Sequence, residues 1–305
     1  MTLKIITLGT GAGRPTLHRG ASAVALVSDT HWSLFDCGEG TQLQINRAGL
    51  RVTRLATICI SHLHGDHING LPGLLGSMAL DGRTSPLTLI GPPALSEYLA
   101  TLKRLNICHP GFPIELINAQ QQPEVSFPDL GASLLAAPLK HRIQTFGYRW
   151  EQQPRPGRFD VEAAVALGVP QGPLFGRLQR GEPITLSDGR VVSPEMVLGP
   201  PRPGKVVAYC SDTSTPCDGV RALGRDADLL IHEGTYGPGH EALAVRYGHS
   251  TVTQAAEVAA SLNAKRLLLT HLSPKHATEV ATLLAAARQL FPACDIARDL
   301  ETYLV

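Results

Sequence analysis

No apolar run in this chain of 305 residues approaches the roughly 18 residues that a membrane-spanning helix requires. The apolar stretch within Met1–Gly9 is too short for a secretory h-region and runs into a Gly-rich turn, so it reads as the first strand of the mature protein. No CxxC pair occurs among Cys37, Cys59, Cys108, Cys210, Cys217 and Cys294. Scattered thiols in a chain this long, without a signal, read as reduced and the protein as cytoplasmic. Net charge is almost absent: 27 Lys+Arg against 26 Asp+Glu leave +1. That removes any global nucleic-acid signature, so affinity for a polyanion must come from local patches or from metal ions. Charged residues are also few, 17% against 43% hydrophobic, which excludes a disordered or fibrous chain.

What is present is an alternation of short strand-like runs and helical stretches. Leu3–Leu8, Ser22–Val27 and Leu34–Phe35 read as strands, and the apolar run Leu55–Ile60 as a buried one. Gln42–Ala48, Gly70–Ala79 and Ala94–Leu105 read as helices. Leu134–Pro138 and Phe146–Trp150 bracket His141 as paired strands. After Val206, strands are expected at Val206–Cys210, Leu229–Ile231, Arg266–Thr270 and Thr302–Val305, with helices at Val252–Leu262 and Glu279–Leu290. Between the two halves, Gln152–Gly204 is dominated by Pro and Gly with arginines interspersed. It does not read as core, although Val161–Leu167 could form a helical turn or two. An irregular insertion of this length in a compact domain is functional or disordered.

The halves echo each other. Leu34-Phe35-Asp36 and Tyr209-Cys210-Ser211-Asp212 are apolar strands ending in Asp. Ile58-Cys59-Ile60-Ser61-His62 and Leu268-Leu269-Thr270-His271 are apolar strands ending in a hydroxyl residue plus His. Two α/β halves facing each other would bring these ends together; chance similarity among apolar strands accounts for the echo equally well.

The strongest signal is Ser61-His62-Leu63-His64-Gly65-Asp66-His67, directly after a buried strand. Three imidazoles and a carboxylate in six residues cannot share one face of a regular element, so this is a loop wrapped around something. Gly65 permits the tight turn. Nitrogen and oxygen donors of this kind suit Zn2+ and, less selectively, Mn2+ or Fe2+. A solvated polar loop would explain a lone histidine but not this density.

HxHxDH after a buried strand resembles the metallo-β-lactamase superfamily. The resemblance implies an α/β fold, the αβ/βα four-layer sandwich of the metallo-β-lactamase type, with further ligands at downstream strand ends. Carried over by position, His62, His64 and His141 would hold one metal, Asp66, His67 and His271 a second, and Asp212 would bridge them. Asp36 would orient the ligand loop without touching metal. Phe35-Asp36-Cys37-Gly38-Glu39-Gly40-Thr41-Gln42, Ser61–Gly73, His232-Glu233-Gly234-Thr235 and Gly248-His249-Ser250-Thr251 are similar, more narrowly, to the ribonuclease Z family, over essentially the whole chain. Gly168–Leu178 resembles that family's Gly/Pro-rich flexible arm.

The family resemblance implies a zinc-dependent endoribonuclease that removes the 3′ trailer from precursor tRNA, with two Zn2+ per subunit. It implies Asp66, Glu233 and His249 as catalytic residues, with His249 the general acid and Glu233 its partner. His232 reads as structural, since the strand turns it away. The chain would then be a single domain over 1–305 with an inserted tRNA-gripping arm over 152–204, in which Arg155, Arg158, Arg177 and Arg180 contact RNA phosphates. The same resemblance implies a homodimer. Two stretches depart from the family: Pro15-Thr16-Leu17-His18-Arg19-Gly20 lacks the lysine and the asparagine of the Pro-x-Lys-x-Arg-Asn loop that helps reject tRNA bearing CCA, and Thr270-His271-Leu272-Ser273-Pro274-Lys275 lacks the usual Arg-Tyr ending. Three other readings stay open: a dimetal phosphodiesterase or sulfatase acting on small esters, a flavo-diiron enzyme, and a metal-free RNA-binding scaffold. Intact His64 argues against the second, and unbroken ligand motifs against the third.

Overall fold

Apolar residues on both faces of a strand require cover on both sides, and that requirement organises the larger part of this protein. The computed structural model describes residues 3–305; Met1 and Thr2 of the expected first strand lie outside them. The first half runs β1 (Lys4–Gly9), β2 (Ala23–Val27), β3 (Trp32–Phe35), α1 (Thr41–Arg47), β4 (Leu55–Cys59), α2 (Gly65–Ile68), α3 (Leu71–Leu80), β5 (Leu87–Gly91), α4 (Ala94–Arg104) and β6 (Ile114–Asn118). It continues into β7 (Glu124–Phe127), β8 (Ala132–Leu139) and β9 (Thr145–Gln152). The segment that follows holds α5 (Val161–Ala166), α6 (Pro173–Gln179), β10 (Ile184–Thr185) and β11 (Val191–Val192). The remainder comprises β12 (Val206–Cys210), α7 (Asp218–Gly224), β13 (Leu229–Glu233), α8 (Glu241–Tyr247), α9 (Val252–Ser261), β14 (Leu267–Thr270), α10 (Val280–Leu290), β15 (Cys294–Ile296) and β16 (Thr302–Leu304).

The chain divides into two compact units, residues 1–151 with 206–305, and residues 152–205. In the larger unit two seven-stranded sheets form, ordered β16-β1-β2-β3-β4-β5-β6 and β15-β14-β13-β12-β9-β8-β7. Alternation assigns their faces. Val24 and Leu26 of β2 join Val207 and Tyr209 of β12 in the core between the sheets. Ala23 and Ala25 face outward with Leu71, Leu74 and Met78 of α3, while Ala208 and Cys210 face outward with Ala255, Ala259 and Ala287 of α9 and α10. The result is helix, sheet, sheet, helix. Each fully buried Leu or Ile in these layers contributes about 1.5–3 kcal/mol. No helix among the described residues is long and apolar enough to cross a membrane, and the six cysteines are unpaired.

Two parallel runs, β3–β4–β5–β6 and β12–β13–β14–β15, sit within the sheets. Parallel strands release all their carboxyl ends at one edge, where α/β sheets place ligands. Asp36 follows β3, His62 follows β4, Asp212 follows β12, Glu233 ends β13 and His271 follows β14. Asp36 and His271 both adopt left-handed backbone, φ 58 and 57. For residues with a Cβ that conformation costs about 1 kcal/mol, and here it lets the chain turn sharply as it leaves the strand.

The smaller unit corrects one expectation. Residues 152–205 are not coreless: Ala164, Val169, Leu178, Ile184, Leu186, Val192 and Val197 are buried together. Asp160 caps α5 by accepting the Ala163 N–H at 2.9 Å, which stabilises a helix start. Elements of two to seven residues between prolines and glycines are too short to express a hydrophobic period. The small core was therefore invisible to pattern reading.

Candidate metal centre

The stretch after β4, a loop at His62 and His64 that turns at Gly65 into α2 rather than staying a loop throughout as expected, and the ends of β8, β12 and β14 deliver seven donor side chains to one place. His62 Nε2 lies 3.0 Å from His64 Nδ1, which lies 3.2 Å from His141 Nε2. Asp212 Oδ2 closes this group, 3.6 Å from His62 and 3.7 Å from His141. Next to it, His67 Nε2 and His271 Nε2 are 3.2 Å apart, and Asp66 Oδ2 is 3.5 and 3.2 Å from them. The other oxygen of Asp212, Oδ1, stands 3.4 Å from His67 and 3.3 Å from His271. One buried carboxylate thus offers one oxygen to each group.

The surrounding hydrogen bonds fix which nitrogen faces inward. Fully buried Asp36 accepts at Oδ2 from the Ser61 hydroxyl (2.8 Å), the Tyr209 hydroxyl (2.7 Å) and His67 Nδ1 (2.7 Å), and at Oδ1 from Ser61 N–H (2.7 Å). With its proton on Asp36, Ser61 Oγ accepts from His62 Nδ1 at 2.9 Å. Thr235 Oγ1 donates to Glu233 Oε2 at 2.6 Å and accepts from His271 Nδ1 at 2.9 Å. His141 Nδ1 donates to the Gly248 carbonyl at 2.7 Å. Four imidazoles therefore carry their proton on Nδ1 and present the Nε2 lone pair to the centre, the arrangement that outer partners impose on metal-ligating histidines.

The donor set fits a pair of divalent cations. Four ligands at about 2.1 Å around a tetrahedral Zn2+ lie roughly 3.4 Å from one another, and the separations above run from 3.0 to 3.7 Å. Asp212 Oδ1 is buried without a hydrogen-bond donor, a costly state that a cation relieves. Burial pushes His62, His64 and His141 below the ordinary imidazole value, towards the neutral form that ligates. His67 goes the other way: burial opposes its charge, but Asp212 and Asp36 outweigh burial and hold it well above. A metal ion taking the place of that proton is the usual exchange at such sites.

Beside the cluster sits a second assembly. Glu233 is fully buried; Oε1 accepts from Thr213 N–H (3.0 Å) and His249 Nδ1 (2.8 Å), and Oε2 from Thr235 N–H (3.1 Å) as well as its hydroxyl. Burial alone would lower the His249 pKa, yet the Glu233 carboxylate raises it to about 9. The His249 side chain is 14% exposed, with Nε2 the nitrogen left for a partner. His232 lies outside all the donor groups, its Nδ1 directed to the Glu233 carbonyl at 2.7 Å.

Ribonuclease Z of Acaryochloris marina is 45% identical over 310 residues, spanning 99% of this chain and 98% of the relative. Ribonuclease Z of Cyanothece sp. is 44% identical over 308 residues, spanning 99% and 95%. The chain belongs to the ribonuclease Z family. The family described as Beta-lactamase superfamily domain matches residues 188–272, and that described as Anti-Pycsar protein Apyc1 matches residues 3–105. The short form of human tRNase Z superposes with a TM-score of 0.66 at 28% identity, over 98% of both chains. The metallo-β-lactamase fold protein YhfI of Bacillus subtilis, at 0.70 and 19% identity over the whole of both, shares the fold.

In this chain the seven candidate ligands, Asp36, Glu233 and His249 come together. The four candidate arginines all lie in residues 152–205: Arg177 and Arg180 both pair with Glu182, at 3.1 and 3.0 Å, Arg155 reaches the Gln152 side chain at 2.9 Å, and Arg158 is exposed. Sequence reading gave no role to three contributors. Gly13 donates its N–H to Asp66 Oδ2 at 2.7 Å, Thr235 links Glu233 to His271, and Gly248 anchors His141. A backbone amide or carbonyl has no residue-type signature, and Thr235 and Gly248, although they lie inside motifs quoted above, gave no sign of these contacts.

Gly248 caps α8 at φ +77, and a Cβ there would lie 2.9 Å from His141 Nδ1. Gly248→Ala is expected to weaken metal affinity about 10–100-fold, as loss of an outer partner typically does. Competition with a chromogenic chelator measures this, and unchanged affinity would remove Gly248 from the site's support.

Proposed function

We propose that this chain is a metal-dependent endoribonuclease that removes the 3′ trailer from precursor tRNA, leaving a 3′-hydroxyl on the tRNA and a 5′-phosphate on the trailer. The observation that carries the reading is Asp212, whose two buried oxygens divide between two His-rich donor groups, in a chain 44–45% identical to proteins named ribonuclease Z. In this reading His62, His64 and His141 hold one cation, Asp66, His67 and His271 the other, and Asp212 both, with Zn2+ preferred and Mn2+ or Fe2+ able to replace it. When bound, such a pair neutralises charge at a phosphate and acidifies water towards a pKa of about 7.

The chain's own groups supply the rest. Asp66, fixed by the Gly13 N–H, orients the attacking water, whose proton passes on to solvent. Burial would raise the Asp66 pKa, but His271 and His67 hold it well below the carboxylate range, so orientation is its main part. The water oxygen bonds to phosphorus in line, and the P–O3′ bond breaks with its electrons left on the ribose oxygen. His249 Nε2 gives that oxygen a proton. Glu233 keeps the imidazole charged and, by gripping Nδ1, aims Nε2 outward.

Recognition falls to residues 152–205 as a tRNA-gripping arm. Glu182 sets Arg177 and Arg180 side by side on an exposed helix end, and with Arg155 and Arg158 they meet phosphates on an RNA read by shape. The family resemblance completes the reading with a cytoplasmic homodimer, one subunit's arm serving the partner's cleavage site.

Incubating the protein with precursor tRNA bearing or lacking CCA, and mapping the product ends, tests this. Ends at the trailer boundary are expected, with 3′-hydroxyl and 5′-phosphate termini. Activity should vanish in a strong chelator and return with Zn2+ or Mn2+. Hydrolysis of a small chromogenic phosphodiester with no cut in precursor tRNA would instead mean a small-ester hydrolase.

A further inference from the structure

The segment after Glu233 carries aromatic rings that neither the donor groups nor the proton relay use. Tyr236 is half-buried and His240 exposed. The Tyr236 ring centroid lies 6.1 Å from that of His249, at 67°, and 6.5 Å from that of His240, nearly parallel at 24°. This spacing is anchored. Tyr236 N–H donates to the Ser250 carbonyl at 3.3 Å and the Tyr236 carbonyl accepts Val252 N–H at 2.9 Å, so its backbone is tied to the stretch that bears His249. Behind it, buried His276 accepts Gly237 N–H at 3.2 Å, donates to Glu279 at 2.8 Å and meets the His240 ring edge-on at 5.4 Å. A pair of aromatic rings on an anchored backbone thus stands beside the imidazole poised to donate a proton.

On the endoribonuclease reading above, on which this step rests, His249 protonates the 3′ oxygen of the last nucleotide kept on the tRNA. That nucleotide's ribose would then be held against His249, which puts the Tyr236 ring, centred 6.1 Å from the His249 ring, within reach of its base. We infer that Tyr236, backed by His240, is a stacking platform for the base of the nucleotide immediately 5′ of the scissile bond. Unpaired bases at RNA ends are bound by such aromatic stacking, and the contact tolerates any base because each has a π-face. Stacking there holds the 3′ oxygen within reach of His249 Nε2, so Tyr236 touches substrate directly.

The test is single-turnover cleavage by the metal-loaded enzyme of two precursor tRNAs, one intact and one abasic at that nucleotide. Tyr236→Ala should lower kcat/KM on the intact RNA about 5- to 150-fold, the range of one lost base–aromatic stack. Tyr236→Phe should keep the wild-type rate, because the ring remains. On the abasic RNA, wild type and Tyr236→Ala should cut equally slowly. Equal losses by Tyr236→Ala on both RNAs would make Tyr236 a support for His249 and overturn the stacking, as would full activity of Tyr236→Ala on the intact RNA. Failure of the wild-type enzyme to cut precursor tRNA at all would overturn the endoribonuclease reading itself, and the platform with it.

Discussion

Asp212→Ala is expected to lower precursor-tRNA cleavage about 1,000-fold or more and to leave at most one equivalent of tightly bound metal. The reason is geometric. Asp212 is 2% exposed, and its oxygens face four imidazole nitrogens, two from each donor group, at 3.3–3.7 Å. Neither Asp36 nor Glu233 can replace it, since they already accept five and four hydrogen bonds. Losing several kcal/mol of transition-state charge stabilisation corresponds, at about 1.4 kcal/mol per tenfold, to roughly three orders of magnitude in rate. A ligand that binds only the folded state also raises its melting temperature. Added Zn2+ should therefore raise the wild-type Tm and raise that of the variant less. Asp212→Asn, which keeps the volume and a neutral oxygen, separates loss of charge from a packing defect. Metal analysis and cleavage assays on both variants decide the matter: two bound equivalents with near-wild-type cleavage would overturn the ligand assignment.

Most of the centre was legible because its donors are uncommon residue types at uncommon density. His62, His64, Asp66 and His67 crowd one loop, while Asp212 and His271 follow buried apolar strands of the kind that end at a ligand edge. The echo between Phe35-Asp36 and the segment ending in Ser211-Asp212 also has a physical counterpart: the Tyr209 and Ser211 hydroxyls both reach Asp36, at 2.7 and 3.3 Å. What escaped reading has no chemical singularity in sequence. β6 and β7 lie at sheet edges with patterns in which a single residue is buried, so they show no clean alternation. Gly13 acts through its amide alone. The core of residues 152–205 is assembled from isolated residues such as Val169 and Leu178, dispersed among breakers that composition counts as loop.

Excising the second unit is expected to separate RNA recognition from chemistry. Gln152 N–H donates to the Lys205 carbonyl at 2.9 Å, and Glu151 of β9 pairs antiparallel with Val206 of β12. Removing residues 153–204 and joining the ends with Asn-Gly therefore closes a tight hairpin of a kind the strands already favour. The excised residues take their own buried cluster with them, so the sheets lose no core. On the proposed reading, losing four charge-assisted phosphate contacts at about 1.5 kcal/mol each corresponds to roughly a 10,000-fold fall in kcat/KM for precursor tRNA. Hydrolysis of a small chromogenic phosphodiester, which needs no such grip, should persist. Comparable loss on both substrates would count against the arm. A mixture goes further. Subunits lacking the arm keep an intact centre, and Asp212→Ala subunits keep an intact arm. If the chain pairs with a second copy and each arm serves the partner's site, co-expressing the two should restore cleavage that neither variant shows alone. Absence of restoration in verified mixed dimers would place arm and centre in the same subunit.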